Sequence, residues 1–331
     1  MAKVRIEDIF QAELWTNDII NEAPVLQNIL NSGLLRTNAE LERVVNAQPA
    51  GTRFELPYVD EPDYTEPEAM DDSDELVTPK KVSWSNQFAV LGLYSETYGY
   101  ANIVQLIARD SDPARVLRDI LANYWARDLQ ERIISSVIGI AEKAGSDLTL
   151  DVADDTADGA DVVLNASIII DGASLLGDHQ DKFEYMFIHS KVYADLKKQN
   201  LIDVIPPSEE GAKPIEMYGN YRIVVNDKMP VINGTNKKKY VTLIAQRGIF
   251  AYAEKRLGGD MPVLETYRDP RLGRGAGATL IITRRGFVLH PVGWSWKSST
   301  ASPKLADLSN KNSWEMKFKP KQQRFVQIIT N

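Results

Sequence analysis

One helical pattern, from Asp112 to Ala144, constrains the fold more than any other feature of the chain. Asp112 can cap the helix, Pro113 suits its first position, and Gly145 follows its last turn. The apolar residues that recur along one face are Leu117, Ile120, Leu121, Tyr124, Trp125, Leu129, Ile133, Val137 and Ile138. At 1.5 Å per residue, about 32 residues make a helix of roughly 48 Å. Such a helix needs an equally long surface to pack on, so we expect a flat, extended subunit.

The composition of the 331 residues narrows the chemistry. Because Cys is absent, neither a disulfide framework nor a zinc–thiolate site can form, and a reducing compartment fits. Three His leave few candidates for a catalytic relay, and the net charge of −8 argues against a nucleic-acid condenser. The chain shows neither a signal-peptide-like start nor a run near the roughly 20 apolar residues that span a bilayer. We therefore expect the protein to be made and kept in the cytoplasm.

Residues 49–100 predict a long hairpin with an acidic tip. Alternating residues at Thr52–Pro57 and again at Val82–Leu91 favour two strands. Between them, Asp60–Glu75 contains nine acidic residues and neither Lys nor Arg. A projecting hairpin that cannot bury both faces on its own domain usually lies on a partner, so we expect basic residues of a neighbour near this tip. The alternative is a solvated or disordered tip.

Several shorter elements are predicted elsewhere. Residues 4–31 have the spacing of an amphipathic helix, and Ala166–Leu176 predicts another. Phe183–His189 predicts a buried strand, which leads into a short helix with Ser190 as its N-cap. Strand patterns return in the second half of the chain, at Tyr221–Val225 and, as one or two strands, at Tyr240–Tyr252.

Motifs that carry chemistry are nearly missing from the sequence. Gly172–Gly177 has one residue too many for a nucleophile elbow, and small residues packing a helix are the better interpretation. Gly273–Gly277 precedes a strand where a dinucleotide site requires a helix, which favours a turn between strands. Arg284 and Arg285 could contact phosphate or form salt bridges at a strand edge. We expect neither a cofactor nor a metal, and no catalytic residue.

Several motifs follow one another along the chain. They are D-P-x-x-x-x-R-D-x-x-x-x-Y-W-A-R-x-L-Q from Asp112, H-S-x-V-Y-A-x-L from His189, G-x-Y-R-I-V-V-N-D-x-M-P from Gly219, T-R-R-x-F-x-L-H-P-x-G-x-x-W from Thr283, S-P-x-x-A-x-L from Ser302 and N-S-W-E from Asn312. In this order they resemble the major capsid proteins of tailed bacteriophages, which have the HK97-type fold. The resemblance runs from about Leu34 to Trp314, and Ser313 is an insertion in the last motif.

The resemblance implies an α+β, HK97-like capsid fold. It has an N-terminal arm, an extended β-hairpin loop, a long spine helix, and axial and peripheral domains. The implied divisions are 1–48 for the arm, 49–100 for the extended loop, 101–160 for the peripheral domain with spine helix 113–144, 161–265 for the axial domain, and 266–331 for the return to the peripheral domain and the C-terminal segment.

The implied function is that of a structural subunit of a bacteriophage head, which self-assembles as pentamers and hexamers into an icosahedral virion shell around double-stranded DNA. Implied partners are a portal, a decoration protein and weakly contacted DNA. Because the chain begins almost at the arm, we expect a separate scaffolding protein. The candidate assembly residues are Asp71, Asp72, Asp74, Glu75, Lys80, Lys81, Trp84 and Arg36.

Some relatives crosslink a loop Lys to a neighbour's Asn. Lys80 and Lys81 lie in the corresponding region, but the sequence shows no carboxylate-flanked Asn. Two alternatives to a phage head remain open. One is an encapsulin-like nanocompartment shell of the same fold, which would enclose enzymes. The other is a soluble α/β enzyme without a recognisable motif.

Overall fold

The computed structural model describes residues 34–37, 39–47, 53–59, 66–67, 70, 81, 83–103, 113–200, 202–205, 215–257 and 261–331. The α-helices that lie wholly within them are α1 Ala39–Ala47, α2 Pro113–Ala144, α3 Ala166–Ser174, α4 Ser190–Lys198 and α5 Leu305–Ser309. The strands are β1 Leu35–Thr37, β2 Arg53–Val59, β3 Trp84–Ala101, β4 Thr149–Asp151, β5 Tyr185–Ile188, β6 Asp203–Ile205, β7 Ile215–Tyr218, β8 Tyr221–Val225, β9 Val231–Asn233, β10 Lys238–Ala245, β11 Phe250–Lys255, β12 Leu264–Asp269, β13 Ala278–Pro291, β14 Trp294–Trp296, β15 Trp314–Met316 and β16 Phe325–Thr330. The helix predicted at 4–31 lies outside the described residues.

The long helix α2 confirms the predicted helix and its bounds from Pro113 to Ala144, whereas Asp112, the predicted cap, lies outside the described residues. The predicted stripe is buried at Leu121, Trp125, Leu129, Ile133 and Val137. Gly145 follows the last turn, and its φ of +59° is the left-handed conformation that glycine adopts without steric cost.

The first sheet carries the predicted hairpin. Its strand order is β1-β11-β13-β3-β2, and β12 pairs with β13. Strands β2 and β3 pair antiparallel from Arg53 opposite Val90 to Val59 opposite Trp84, which confirms the hairpin's two limbs. β3 continues for 18 residues and pairs along most of its length with β13, so the hairpin grows directly out of the sheet.

The second sheet has the order β4-β16-β10-β5-β8-β7-β6, with β9 on β10. β16 lies between β4 and β10, and all six of its residues are buried. Asn331 follows it and is also buried, where its Oδ1 accepts a hydrogen bond from Asp154 N at 2.7 Å. The last residues of the chain therefore form an interior strand.

A single hydrophobic cluster joins the helix to both sheets. Ile133 of α2, Phe187 and Val326 of the second sheet, and Phe250 and Phe287 of the first sheet all belong to it. The chain passes from the second sheet to the first between β10 and β11. The two sheets therefore share one hydrophobic core.

The stretch after β5 corrects one detail of the sequence prediction. The strand covers only Tyr185–Ile188, and the N-cap of α4 is His189, with Ser190 already helical. His189 keeps an extended backbone, and its Nδ1 accepts a hydrogen bond from Lys191 N at 3.1 Å. An imidazole nitrogen thus replaces the hydroxyl oxygen expected at the cap. Val192 and Leu196 are buried, as the helical spacing predicted.

Other local predictions are confirmed with shifted bounds. α3 ends at Ser174, two residues earlier than predicted, and Asn165 caps its start. Tyr240–Tyr252 belongs to two strands, β10 and β11, which lie in different sheets. Gly273–Gly277 is a turn between β12 and β13 in which all three glycines have positive φ.

The predicted edge position of Arg284 and Arg285 is wrong. They lie on β13, which pairs with β3 on one side and with β11 and β12 on the other. The expected salt bridges do form: Arg284 binds Glu265 of β12 at 2.7 Å, and Arg285 lies 3.5 Å from Glu254 of β11. The two arginines mark the place where β13 changes partner from one strand to the other.

Candidate assembly surfaces

The end of the hairpin presents apolar side chains to solvent. Val59 and Trp84 face each other across β2 and β3 and are 50% and 72% exposed. Met70, between the two strands, is fully exposed. An exposed apolar cross-strand pair at the end of a long hairpin is typical of a surface that another chain covers.

The same hairpin is firmly attached to its own subunit. Phe88 N donates to Ser295 Oγ at 2.9 Å, and the ring of Tyr58 packs edge-on against Phe318 with 5.2 Å between centroids. The Arg53 guanidinium lies 3.8 Å from the centre of the Phe88 ring. These contacts fix the direction in which the hairpin leaves the sheet.

The predicted assembly residues fall into two groups. Asp71, Asp72, Asp74, Glu75 and Lys80 lie outside the described residues. Among those described, Lys81 and Arg36 are exposed, as is Trp84. Arg36 lies on β1, which pairs parallel with β11, so it sits at the opposite end of the first sheet from β2.

Sequence reasoning missed a second exposed apolar surface, on β12 and the residues just before it. Met261, Val263, Leu264 and Tyr267 are each about half exposed, between 47% and 51%. In the described part of the chain β12 pairs with β13 alone, so its other edge carries free backbone groups. The mixture of β-branched, aliphatic and aromatic residues at 263–267 could have revealed a strand, but not that its apolar side chains would remain uncovered.

Beneath these surfaces, a buried arginine ties the long helix to the C-terminal segment. Arg132 of α2 pairs with Asp128 at 2.7 Å and donates to the carbonyl of Pro303 at 2.8 Å. Its guanidinium lies 3.7 Å from the centre of the Tyr94 ring, and the Tyr94 hydroxyl also donates to Pro303 O. Burial raises the pKa of Tyr94 to about 12, so this hydroxyl stays a donor at neutral pH.

His290 is a core residue. It is 3% exposed, and its Nε2 lies 3.2 Å from Gln87 Oε1. Burial lowers the pKa of His290 from 6.5 to about 4, so the imidazole is neutral at physiological pH. Of the groups of His, Asp and Glu in the described ranges, none has three members placed to hold a metal ion. Likewise, none of the helices traced in those ranges is both long and apolar enough to cross a bilayer.

Comparisons of sequence and of structure show which known proteins this chain resembles. The major capsid protein of Bacillus phage SPP1 is 29% identical over 335 residues, covering 99% of this chain and 98% of that protein. The capsid of Ralstonia phage GP4 has a TM-score of 0.58 at 11% identity, over 90% of this chain and 87% of that one. The cyanophage Pam1 capsid has a TM-score of 0.55 at 10% identity, over 89% and 88%. No family model matches the chain.

Over nearly its full length the chain is similar to a phage major capsid protein. The likeness to solved phage capsids shows the HK97-type α+β fold, and the full-length relative shows the role of a structural subunit in a virion shell. The capsid motifs recognised in the sequence mostly describe the interior. Trp125 and His290 of these motifs are buried and hydrogen-bonded, whereas the exposed apolar side chains of the hairpin and β12 lie outside the motifs.

Proposed function

We propose that this capsid subunit assembles as pentamers and hexamers into an icosahedral shell that encloses double-stranded DNA. The observation that carries the proposal is the hairpin β2–β3. It is anchored at Ser295 and Phe318, yet leaves Val59 and Trp84 uncovered at its end. A shell built by symmetry repeats one such contact many times, so each contact can be modest in energy.

The proposed division of the subunit is the one that the sequence resemblance implies, and it follows the two sheets in part. Residues 1–48 are the arm, 49–100 the extended loop, and 101–160 the peripheral domain with the spine helix at 113–144. Residues 161–265 are the axial domain, and 266–331 are the return to the peripheral domain and the C-terminal segment. In support, β5 to β10 all belong to the second sheet, whereas β2, β3, β12 and β13 belong to the first. Three strands cross the proposed boundaries, since β11 lies in the first sheet and β4 and β16 lie in the second.

The assembly contacts are proposed at two places. Apolar contacts centre on Trp84 of the hairpin and on the exposed edge of β12. Charged contacts come from Asp71, Asp72, Asp74 and Glu75 of the acidic run, from Lys80 and Lys81 beside it, and from Arg36 on β1.

The other partners are proposed by analogy with the family. They are a separate scaffolding protein, a portal, a decoration protein, and DNA held by weak contacts without sequence preference. A net charge of −8 suits a container that must not bind its genome tightly. The role is structural, and we propose that the subunit catalyses no reaction and needs no cofactor.

The decisive test is negative-stain electron microscopy combined with size-exclusion mass, with and without the scaffolding protein. We expect capsomer rings or closed shells large enough for a genome. Small uniform shells filled with protein would instead indicate the nanocompartment alternative. A compact monomer under every condition would contradict assembly and favour the soluble enzyme.

A further inference from the structure

Two arginines from distant parts of the chain meet beside the β10–β11 connection. Arg36 comes from β1 and Arg324 directly precedes β16. A Cβ placed on Gly248 would lie 3.2 Å from Arg36 Cβ and 3.7 Å from Arg324 Nη1, so the two side chains flank this glycine. Arg324 Nη1 also donates to the carbonyl of Gly248 at 2.8 Å. Arg247, the preceding residue, is exposed, and we call these three side chains the arginine patch.

The arginine patch has no counter-charge among the described residues. The ion pairs found there include none made by Arg36, Arg247 or Arg324. Partial burial, and next the charge of Arg36, lower the pKa of Arg324. Like charges held together in a half-buried place repel, and an incoming anion relieves that repulsion.

The same chain supplies an anion of the right kind. Nine acidic residues lie in Asp60–Glu75 without a Lys or Arg among them. The described members of this run, Glu66, Pro67 and Met70, are exposed. Carboxylates are the groups that a planar guanidinium binds with two parallel hydrogen bonds.

We propose that the arginine patch, Arg36, Arg247 and Arg324, is the docking site for the acidic run Asp60–Glu75 of a second copy of the chain. This inference rests on the proposed shell assembly and names the receptor for the hairpin's tip. It explains why Arg36 and Arg324 are brought together without a carboxylate of their own sheet. Electrostatic contacts of this kind fix register between subunits and weaken as salt rises.

The natural absence of Cys makes a crosslinking test direct. One variant carries Asp72→Cys, a second carries Arg247→Cys, and the two are mixed under assembly conditions and oxidised. We expect a band of two-chain mass on a non-reducing denaturing gel. The matched control replaces Arg247→Cys by Arg127→Cys, an exposed position on α2, and should give no such band.

Two outcomes would overturn the proposal while leaving shell assembly intact. They are closed shells without the crosslink, and an equal yield from the Arg127→Cys control. If the unsubstituted protein forms neither capsomers nor shells, the proposed function itself fails. Microscopy of that protein separates the two failures.

Charge reversal provides an independent readout. Arg36→Glu with Arg247→Glu should lower shell yield roughly tenfold, because acidic groups would then face the acidic run. Adding Asp71→Lys and Asp72→Lys to the same chain should restore it. The control pair, Arg43→Glu with Arg127→Glu, changes two exposed arginines outside the patch and should assemble normally. Loss of binding to a short DNA duplex with unchanged assembly would overturn the proposal in favour of a nucleic-acid contact.

Discussion

One tryptophan lies beside the long helix and another at the end of the hairpin, but only the first of the two is covered. Trp314 is 2% exposed, packs edge-on against Trp296, and donates its Nε1 hydrogen to the carbonyl of Leu308 at 2.7 Å. Trp84 is 72% exposed. The C-terminal segment packs on α2, and this packing covers Trp314. In the described part of the subunit, Trp84 at the end of the hairpin stays largely uncovered. The first tryptophan stabilises the subunit, and the second is available to stabilise the assembly.

The largest effect on subunit stability should come from Trp314→Ala. Loss of this buried ring and of its hydrogen bond should lower the free energy of unfolding by about 3–5 kcal/mol. Denaturant unfolding of the isolated subunit measures the change. Trp314→Phe keeps most of the packing without the donor, so it should cost clearly less. Equal losses in the two variants would show that the hydrogen bond to Leu308 dominates.

Lowering the pH should reduce the stability of the folded subunit through the buried His290. The unfolded chain takes up the proton near pH 6.5, whereas the folded chain does so only near pH 4. This contribution to stability is therefore present above pH 6.5 and is lost as the pH falls towards 4. At about 1.4 kcal/mol per pKa unit, the loss is on the order of 3 kcal/mol.

Thermal unfolding across that pH range, compared between wild type and His290→Gln, tests the assignment. Glutamine offers an amide that can donate to Gln87 Oε1 but does not titrate, so the curve of this variant should be flatter between pH 6.5 and 4. His179→Gln is the matched control and should follow the wild type. If stability falls with pH as steeply in His290→Gln as in the wild type, the acid sensitivity comes from other groups, such as the carboxylates.

A smaller effect is expected from Gly139→Ala, where the C-terminal segment crosses the helix. A Cβ at this position would overlap the carbonyl oxygen of Leu308 and lie 2.9 Å from Trp314 Nε1. Because both atoms belong to the Trp314 hydrogen bond, the helix and the segment must separate, at a cost of about 1–3 kcal/mol. Gly145→Asn is the control, since open space surrounds that glycine and Asn tolerates its φ of +59°. Comparable losses at the two positions would argue against a special close approach at Gly139.

The smallest effect on the free subunit, and the sharpest on assembly, should follow Trp84→Ala. The free energy of unfolding should stay within about 0.5 kcal/mol of wild type, because the side chain is largely solvated already. Shell yield, measured by sedimentation and microscopy, should fall strongly. Normal shells from this variant would show that Trp84 does not stabilise the assembly.

Much of the fold could be predicted because its signals are local. The bounds of α2 follow from Pro113, Gly145 and the helical period, and the hairpin follows from two alternating runs around a polar tip. The cap of α4 was misassigned because Ser190 is the better capping residue by type. His189 wins because it occupies the extended position from which its ring reaches Lys191 N.

The rest could not be predicted because it depends on pairing between distant segments. Arg284 and Arg285 look like edge residues until β3, β11 and β12 are placed around β13. The exposure of the apolar side chains of β12 can be recognised only once the pairing of the strands shows which edge of the sheet stays free. Of the candidate assembly residues, the sequence pointed to the acidic run and Trp84 through charge and periodicity. No local pattern indicates that Arg36 approaches Arg324 beside Gly248, because nearly 300 positions separate the two arginines in the chain.

By itself the sequence determined the length of the spine helix, the hairpin and the family motifs, since each rests on neighbours within a few turns or within one strand pair. The tertiary structure alone decided which tryptophan is covered, which strand edge is free and where unpaired arginines gather. The burial of a side chain and the pairing of a charge depend on every segment that packs around it. Those segments come together only when the chain has folded.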